Sequence, residues 1–171
     1  VLPFMRETAL FYQDFAVLDE QGKVKLYPSV SPENTPKNFI PPHFADHMGH
    51  ILPTVMNATM DFAVMKELLS SLLELSGRYG VYTEEQPAWR ELLERIPAYM
   101  VNADGAIKEW MHPELEDHYH HRHLSHLYPV FPGDEVGLQD SRLPAFARAV
   151  DLRELGGQSG WSLTHMANIY A

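Results

Sequence analysis

Two segments hold side chains at spacings suited to acid–base or ligand chemistry. In Pro28-Ser-Val-Ser-Pro-Glu-Asn-Thr-Pro36 the one carboxylate, Glu33, stands between Pro32 and Pro36 on a stiffened backbone. A general acid needs such fixed placement, together with a pKa lifted by partial burial. The plain alternative is a solvated glutamate among turn-forming residues. The second segment is His118-Tyr-His-His-Arg-His-Leu-Ser-His126. His121 and His123 share a face if the chain is extended, and His123 and His126 share one if it is helical. Such pairs serve metal sites, but Glu114, Glu116 and Asp117 lie nearby without a fixed phase. The other readings are imidazoles that hydrogen-bond a polar neutral ligand, with Arg122 anchoring a carboxylate, or a surface cluster with no role.

Two further features are less specific. Gly156-Gly-Gln-Ser-Gly-Trp-Ser162 allows close backbone approach to a ligand and offers Trp161 as a flat face for a sugar ring. It also reads as a turn between helices with a core tryptophan. Asp61, in Thr59-Met-Asp61, suits the first turn of a helix through the dipole alone.

These side chains must be positioned by a chain of 171 residues, a length that fits about one domain or part of a larger one. With 45% hydrophobic and 11% aromatic residues it can bury a core and is not a disordered polymer. Without cysteine there is neither a disulfide scaffold nor a thiolate zinc cage. Asp and Glu number 23 against 13 Lys and Arg, a net charge of −10, which argues against nucleic acid as a partner. No segment approaches the roughly 20 apolar residues of a membrane span, and no signal-peptide pattern opens the sequence. The sequence starts at Val1 and stops within an apolar pattern, so residues 1–171 are expected to be a fragment of a longer protein, cut at both ends.

Apolar periodicity predicts helices over 2–18, 54–80, 84–96, 142–155 and 160–171. Asn57 or Thr59 is expected to cap the longest of them, with Met60, Val64, Leu68, Leu72 and Leu75 as its buried stripe. Thr83-Glu-Glu-Gln86 reads as a capping box. Strand is expected only near 23–30 and 106–110, and 31–53 reads as a long loop. The fold class is therefore all-α, with long functional loops between helices.

Seven segments in order extend this reading: Ser31-Pro-Glu-Asn34, Thr59-Met-Asp61, Glu67-Leu-Leu69, Ile107-Lys-Glu-Trp110, His121-Arg-His-Leu-Ser-His126, Tyr128-Pro-Val-Phe-Pro-Gly133 and Gly160-Trp-Ser162. The set resembles the catalytic domain of glycoside hydrolase family 95, the α-L-fucosidases with some α-L-galactosidases. The resemblance covers almost the whole chain, and the histidine run followed by Pro-Gly is its most specific part. It implies a partial (α/α)6 barrel and an inverting, cofactor-free and metal-free glycosidase acting on fucosylated glycans. It also implies a secreted or periplasmic setting. By this resemblance Glu33 matches the general acid, and His121, His123 and His126 match a sugar-binding loop. Glu109 and Trp110 match a Glu-Trp pair near the barrel mouth and, with Trp161, are expected as further sugar contacts.

The sequence departs from the family pattern in two places. The asparagines that hold the attacking water lie upstream of Val1 in that pattern. Leu155-Gly-Gly-Gln-Ser-Gly-Trp-Ser162 stands where the family often shows Gly-Asp-Gly-Gly-Thr-Gly-Trp-Ser, and Gln158 is not a base. The base-side groups are thus expected either upstream of Val1 or replaced near Gln158, which can orient water, and the fragment alone is expected to be inactive. Two other classes remain open: a non-catalytic carbohydrate-binding member of the same fold, and a metal-dependent hydrolase built on the histidines.

Overall fold

A computed structural model of the chain describes residues 1–42, 54–153 and 159–171. Within them lie helices α1 (Leu2–Phe15), α2 (Thr59–Tyr79), α3 (Gln86–Arg95), α4 (Leu143–Asp151) and α5 (Gly160–Tyr170). The strands are β1 (Val17–Leu18) and β2 (Val24–Lys25), an antiparallel pair in which Val17 faces Lys25. The architecture is all-α with minor strand, as a portion of an (α/α)6 barrel requires. The second half of the predicted 31–53 loop, the end of the predicted 142–155 helix, and Gly156, Gly157 and Gln158 lie outside the described residues.

Helix α1 places Leu2, Met5, Tyr12 and Phe15 around a fully buried Ala9, the expected three–four spacing. It ends three residues before the predicted boundary because Val17 and Leu18 pair with β2. Both α1 and α3 lie against α2, and Phe62, Met65, Leu69, Leu72 and Trp89 form the centre of that core. A second cluster joins Ile107, Leu124, Leu127, Phe146 and Val150. A third and smaller one holds Val55, Ala58, Trp110 and Leu115.

Helix α2 corrects three expectations. It begins at Thr59 rather than Thr54, because Val55 bridges Ser29 and Ala58 bridges Trp110. Its deepest face is Phe62, Met65, Leu69, Leu72 and Ser76, while Met60, Val64 and Leu75 are only half-buried. Its N-cap is Ala58, with no side-chain cap of its own. Neither candidate cap is free for the task. Asn57 adopts a left-handed φ of 58° and its side-chain oxygen accepts the Leu26 amide at 2.9 Å. Thr59 donates its hydroxyl to the Lys108 carbonyl at 2.6 Å. Ser29 Oγ takes over instead, accepting the Ala58 amide at 2.7 Å and donating to Asp61 at 2.6 Å. The predicted capping box at Thr83 is also absent: α3 is preceded by Glu85 with no side-chain cap. At the far end of α2, Gly80 supplies the left-handed C-cap, φ 64°, where a side chain would be strained.

The start of α2 is thus pinned on two sides. The Thr59 amide donates to the Glu109 carbonyl at 3.0 Å, and Ser29 binds both the first turn and Val55. These bonds bring the 28–36 loop and the 107–110 segment together over one helix end. No described helix is long and apolar enough to cross a membrane.

Candidate active site

The loop from Ser31 to Thr35 turns on itself, the Asn34 amide donating to the Ser31 carbonyl at 3.1 Å. Ser31, Asn34 and Thr35 are buried, and Glu33 alone projects outward. Its backbone is left-handed, φ 55°. For a residue with a Cβ this conformation costs about 1–2 kcal/mol, and it persists only where the surroundings over-determine it.

Both sides of the turn are anchored to one buried carboxylate. Ser31 Oγ donates to Glu109 Oε1 at 2.7 Å, and Asn34 Nδ2 donates to Glu109 Oε2 at 2.8 Å. The Arg153 guanidinium donates to the same Oε2 at 2.9 Å. Glu109 and Arg153 side chains are each 1% exposed. Burial pushes the Glu109 carboxyl up, but Arg153 and the hydrogen bonds from Ser31 and Asn34 outweigh it and hold the group at about 2. The carboxylate is therefore ionised at any working pH. Arg153 also donates to the His118 carbonyl at 3.0 Å and to Nδ1 of His126 at 3.3 Å. His118 Nδ1 lies 3.1 Å from Asn34 Oδ1.

The histidine run packs over this ionic layer. His126 is buried, and desolvation holds its imidazole neutral, down to about 3 even beside Glu109. His121 is fully buried and is lowered to about 4, again chiefly by desolvation. Its Nε2 lies 3.3 Å from the Pro32 carbonyl, which fixes Nε2 as the protonated nitrogen and ties the run to the residue before Glu33. His123 alone of the three reaches the surface, its Nε2 2.7 Å from Glu33 Oε2. Arg122 pairs with the same oxygen. The hydrogen bond from His123, with the charge of Arg122, holds the Glu33 carboxyl below its ordinary value. The structure thus gives Glu33 the fixed placement expected of it, but not the lifted pKa. Its side chain is 49% exposed, and the upward push of partial desolvation is outweighed by the His123 hydrogen bond and the neighbouring charges.

Helix α5 completes the surface. Ser159 caps it and exchanges hydrogen bonds with Ser162. Trp161 stands in the first turn, 61% exposed, its ring 5.0 Å edge-on from His123 and 5.9 Å from His165. The expected core role of that tryptophan is not taken up.

Glu33, Arg122, His123 and Trp161 therefore meet at the surface, although about 130 positions separate the ends of the set. His121, His126 and Glu109 lie directly beneath. Trp110 is fully buried against Val55, Ala58 and Leu115, with no ring face at the surface. Arg122 was expected to hold a ligand carboxylate; here it holds that of Glu33. Sequence reading did not single out Ser31, Asn34, Arg153 or His165. His165 sits four residues after Trp161, one helical turn on the same face, and that spacing was a usable signal. Among the described residues no three His, Asp or Glu side chains converge as a metal-holding set.

The arrangement can supply one carboxyl group, one imidazole and one guanidinium at a fixed point beside an exposed aromatic face. The model of the glycosyl hydrolase family 95 catalytic domain matches residues 1–171. The chain belongs to glycosyl hydrolase family 95. An Arabidopsis thaliana protein named "Alpha-L-fucosidase 2" is 28% identical over 174 residues, which take in 99% of this chain and 19% of that relative. The chain thus spans under a fifth of the length of the curated relative it matches. Within residues 1–171 the surface quartet and the buried Glu109–Arg153 layer beneath it are the candidate site.

Proposed function

We propose that the protein containing this chain is a glycosidase that removes terminal α-L-fucose, or an α-L-galactose-like sugar, with inversion. Residues 1–171 are a part of its single catalytic domain. Glu33 is the general acid, protonating the leaving glycosidic oxygen as the anomeric carbon becomes oxocarbenium-like. The opposed water is held by groups in the remainder of the chain. His123 and Arg122 orient the Glu33 carboxyl, and Trp161 offers the sugar an apolar face. Family membership and the relative's name support the substrate class. The observation that carries the assignment of Glu33 is its outward, left-handed placement against His123. A bound sugar that displaces water from the half-exposed carboxyl would raise its pKa toward the value an acid needs.

A second reading has one specific observation in its favour. In the free site Glu33 is held below its ordinary pKa, which suits a carboxylate acting as a base on water. Glu33→Gln in the intact protein separates the two. As general acid, Glu33 contributes roughly 10²–10⁴-fold on a fucosyl disaccharide, and much less on an aryl fucoside, whose leaving group needs little protonation. An equal loss on both substrates assigns Glu33 to the base side. No loss on either removes it from the chemistry.

A further inference from the structure

The acid of the proposed reaction stands on an exposed loop tip, and its side-chain contacts orient the carboxyl rather than fix the backbone. Its two outward contacts, Arg122 and His123, are themselves partly exposed. The stiffness comes from below. The residues two before and one after Glu33 each direct a buried polar group to a different oxygen of Glu109. Asn34 is held three times more: its Oδ1 accepts the Thr35 amide at 2.9 Å and lies 3.1 Å from His118 Nδ1, and its Nδ2 donates to the His118 carbonyl at 3.4 Å. Arg153 in turn holds Glu109 and the His118 carbonyl. Glu109 itself is buried beneath the loop, out of reach of a sugar lying on the surface.

We propose that Glu109 is a positioning residue: through Ser31 and Asn34 it clamps the loop on both sides of Glu33 and holds the left-handed backbone that aims the Glu33 carboxyl at the substrate. This rests on the assignment of Glu33 to the chemistry. Glu109 contributes nothing to sugar binding in its own right, in contrast to the role the family resemblance suggested for it. A bond-distance error at a proton-transfer group is expensive, a misplacement of about 1 Å being worth up to 10²-fold in rate. Loss of one clamp bond should therefore appear in kcat and leave KM nearly unchanged.

The direct variant, Glu109→Gln, leaves Arg153 buried without its counter-charge and endangers folding. Ser31→Ala is the better probe, because it removes one clamp bond and leaves the Glu109–Arg153 pair whole. In the intact protein, Ser31→Ala should lower kcat on a fucosyl disaccharide roughly 10- to 100-fold, with KM within about threefold. Made in the Glu33→Gln background, the same change should have no further effect, because its influence passes through Glu33. Equal losses in both backgrounds, or no loss in either, would overturn the proposal, since a purely structural role does not depend on the side chain at 33. If Glu33→Gln itself leaves turnover unchanged, the proposed chemistry fails, and the clamp is then judged by a crystal structure of Ser31→Ala. Departure of residue 33 from the left-handed region and loss of its contact with His123 support the clamp; an unchanged loop overturns it.

Discussion

Acid should destabilise this protein earlier than carboxylate chemistry alone dictates, through His126. Folding holds that imidazole neutral at about 3, whereas an unfolded histidine takes up its proton near 6.5. Between those values the unfolded state binds the extra proton, so stability falls as the pH falls. For one such group, going from pH 6.0 to 4.5 removes about 2 kcal/mol. That is a large part of a typical ~5–15 kcal/mol total. Glu109 acts in a lower window. Its depressed value stabilises the fold above about 4.3 and is lost only as the pH falls toward about 2, so it hardly contributes between 6.0 and 4.5. His121 adds a similar effect to His126, but it is present in both proteins of a matched comparison. The perturbation is His126→Asn, which keeps an acceptor for Arg153 and does not titrate. Urea unfolding of the intact protein at the two pH values, followed by tryptophan fluorescence, should show the wild type losing about 2 kcal/mol more than the variant. Parallel losses would refute the buried-neutral assignment, as would an NMR titration of His126 centred near its ordinary value.

Trp161→Ala should leave stability within about 0.5 kcal/mol, as for an exposed side chain, while raising KM for the sugar; unchanged KM would remove the aromatic face from substrate binding. Gly133→Ala should destabilise by about 1–3 kcal/mol, because its Cβ would stand 2.6 Å from the Tyr128 carbonyl; a thermal melt indistinguishable from wild type would contradict that close approach. Gly80→Ala should cost about 1 kcal/mol at the left-handed end of α2, and Gly80→Asn less, measured by the same urea titration.

The helices were legible because their signal is local. Leu2, Met5, Ala9, Tyr12 and Phe15 repeat at the period of one face, and burial follows that face. The start of α2 was not legible, because Val55 and Ala58 are held extended by Ser29 and Trp110, partners about 26 and 52 positions away. Its cap was misassigned for the same reason: Asn57 and Thr59 have the right chemistry, but tertiary carbonyls and amides claim it. The site divides in the same way. Glu33 stood out through its flanking prolines and His123 through its run of imidazoles. Arg153 carries no local mark, being 44 residues from the carboxylate it neutralises. Its absence from the sequence reading hid the reason for Glu109, which looked like a sugar contact until its burial and its three donors were seen together.

The buried layer also bears on how such a site can diverge. Ser31, Asn34, Glu109 and Arg153 are buried and coupled by hydrogen bonds and one ion pair. A change at one position leaves an unmatched charge or donor at the others, so stepwise exchange passes through unstable intermediates. Trp161 has no such constraint, being exposed and outside that network. Change is therefore most accessible at that surface position, whereas a loop transplanted to another helical scaffold keeps its Glu33 placement only if Glu109 and Arg153 travel with it.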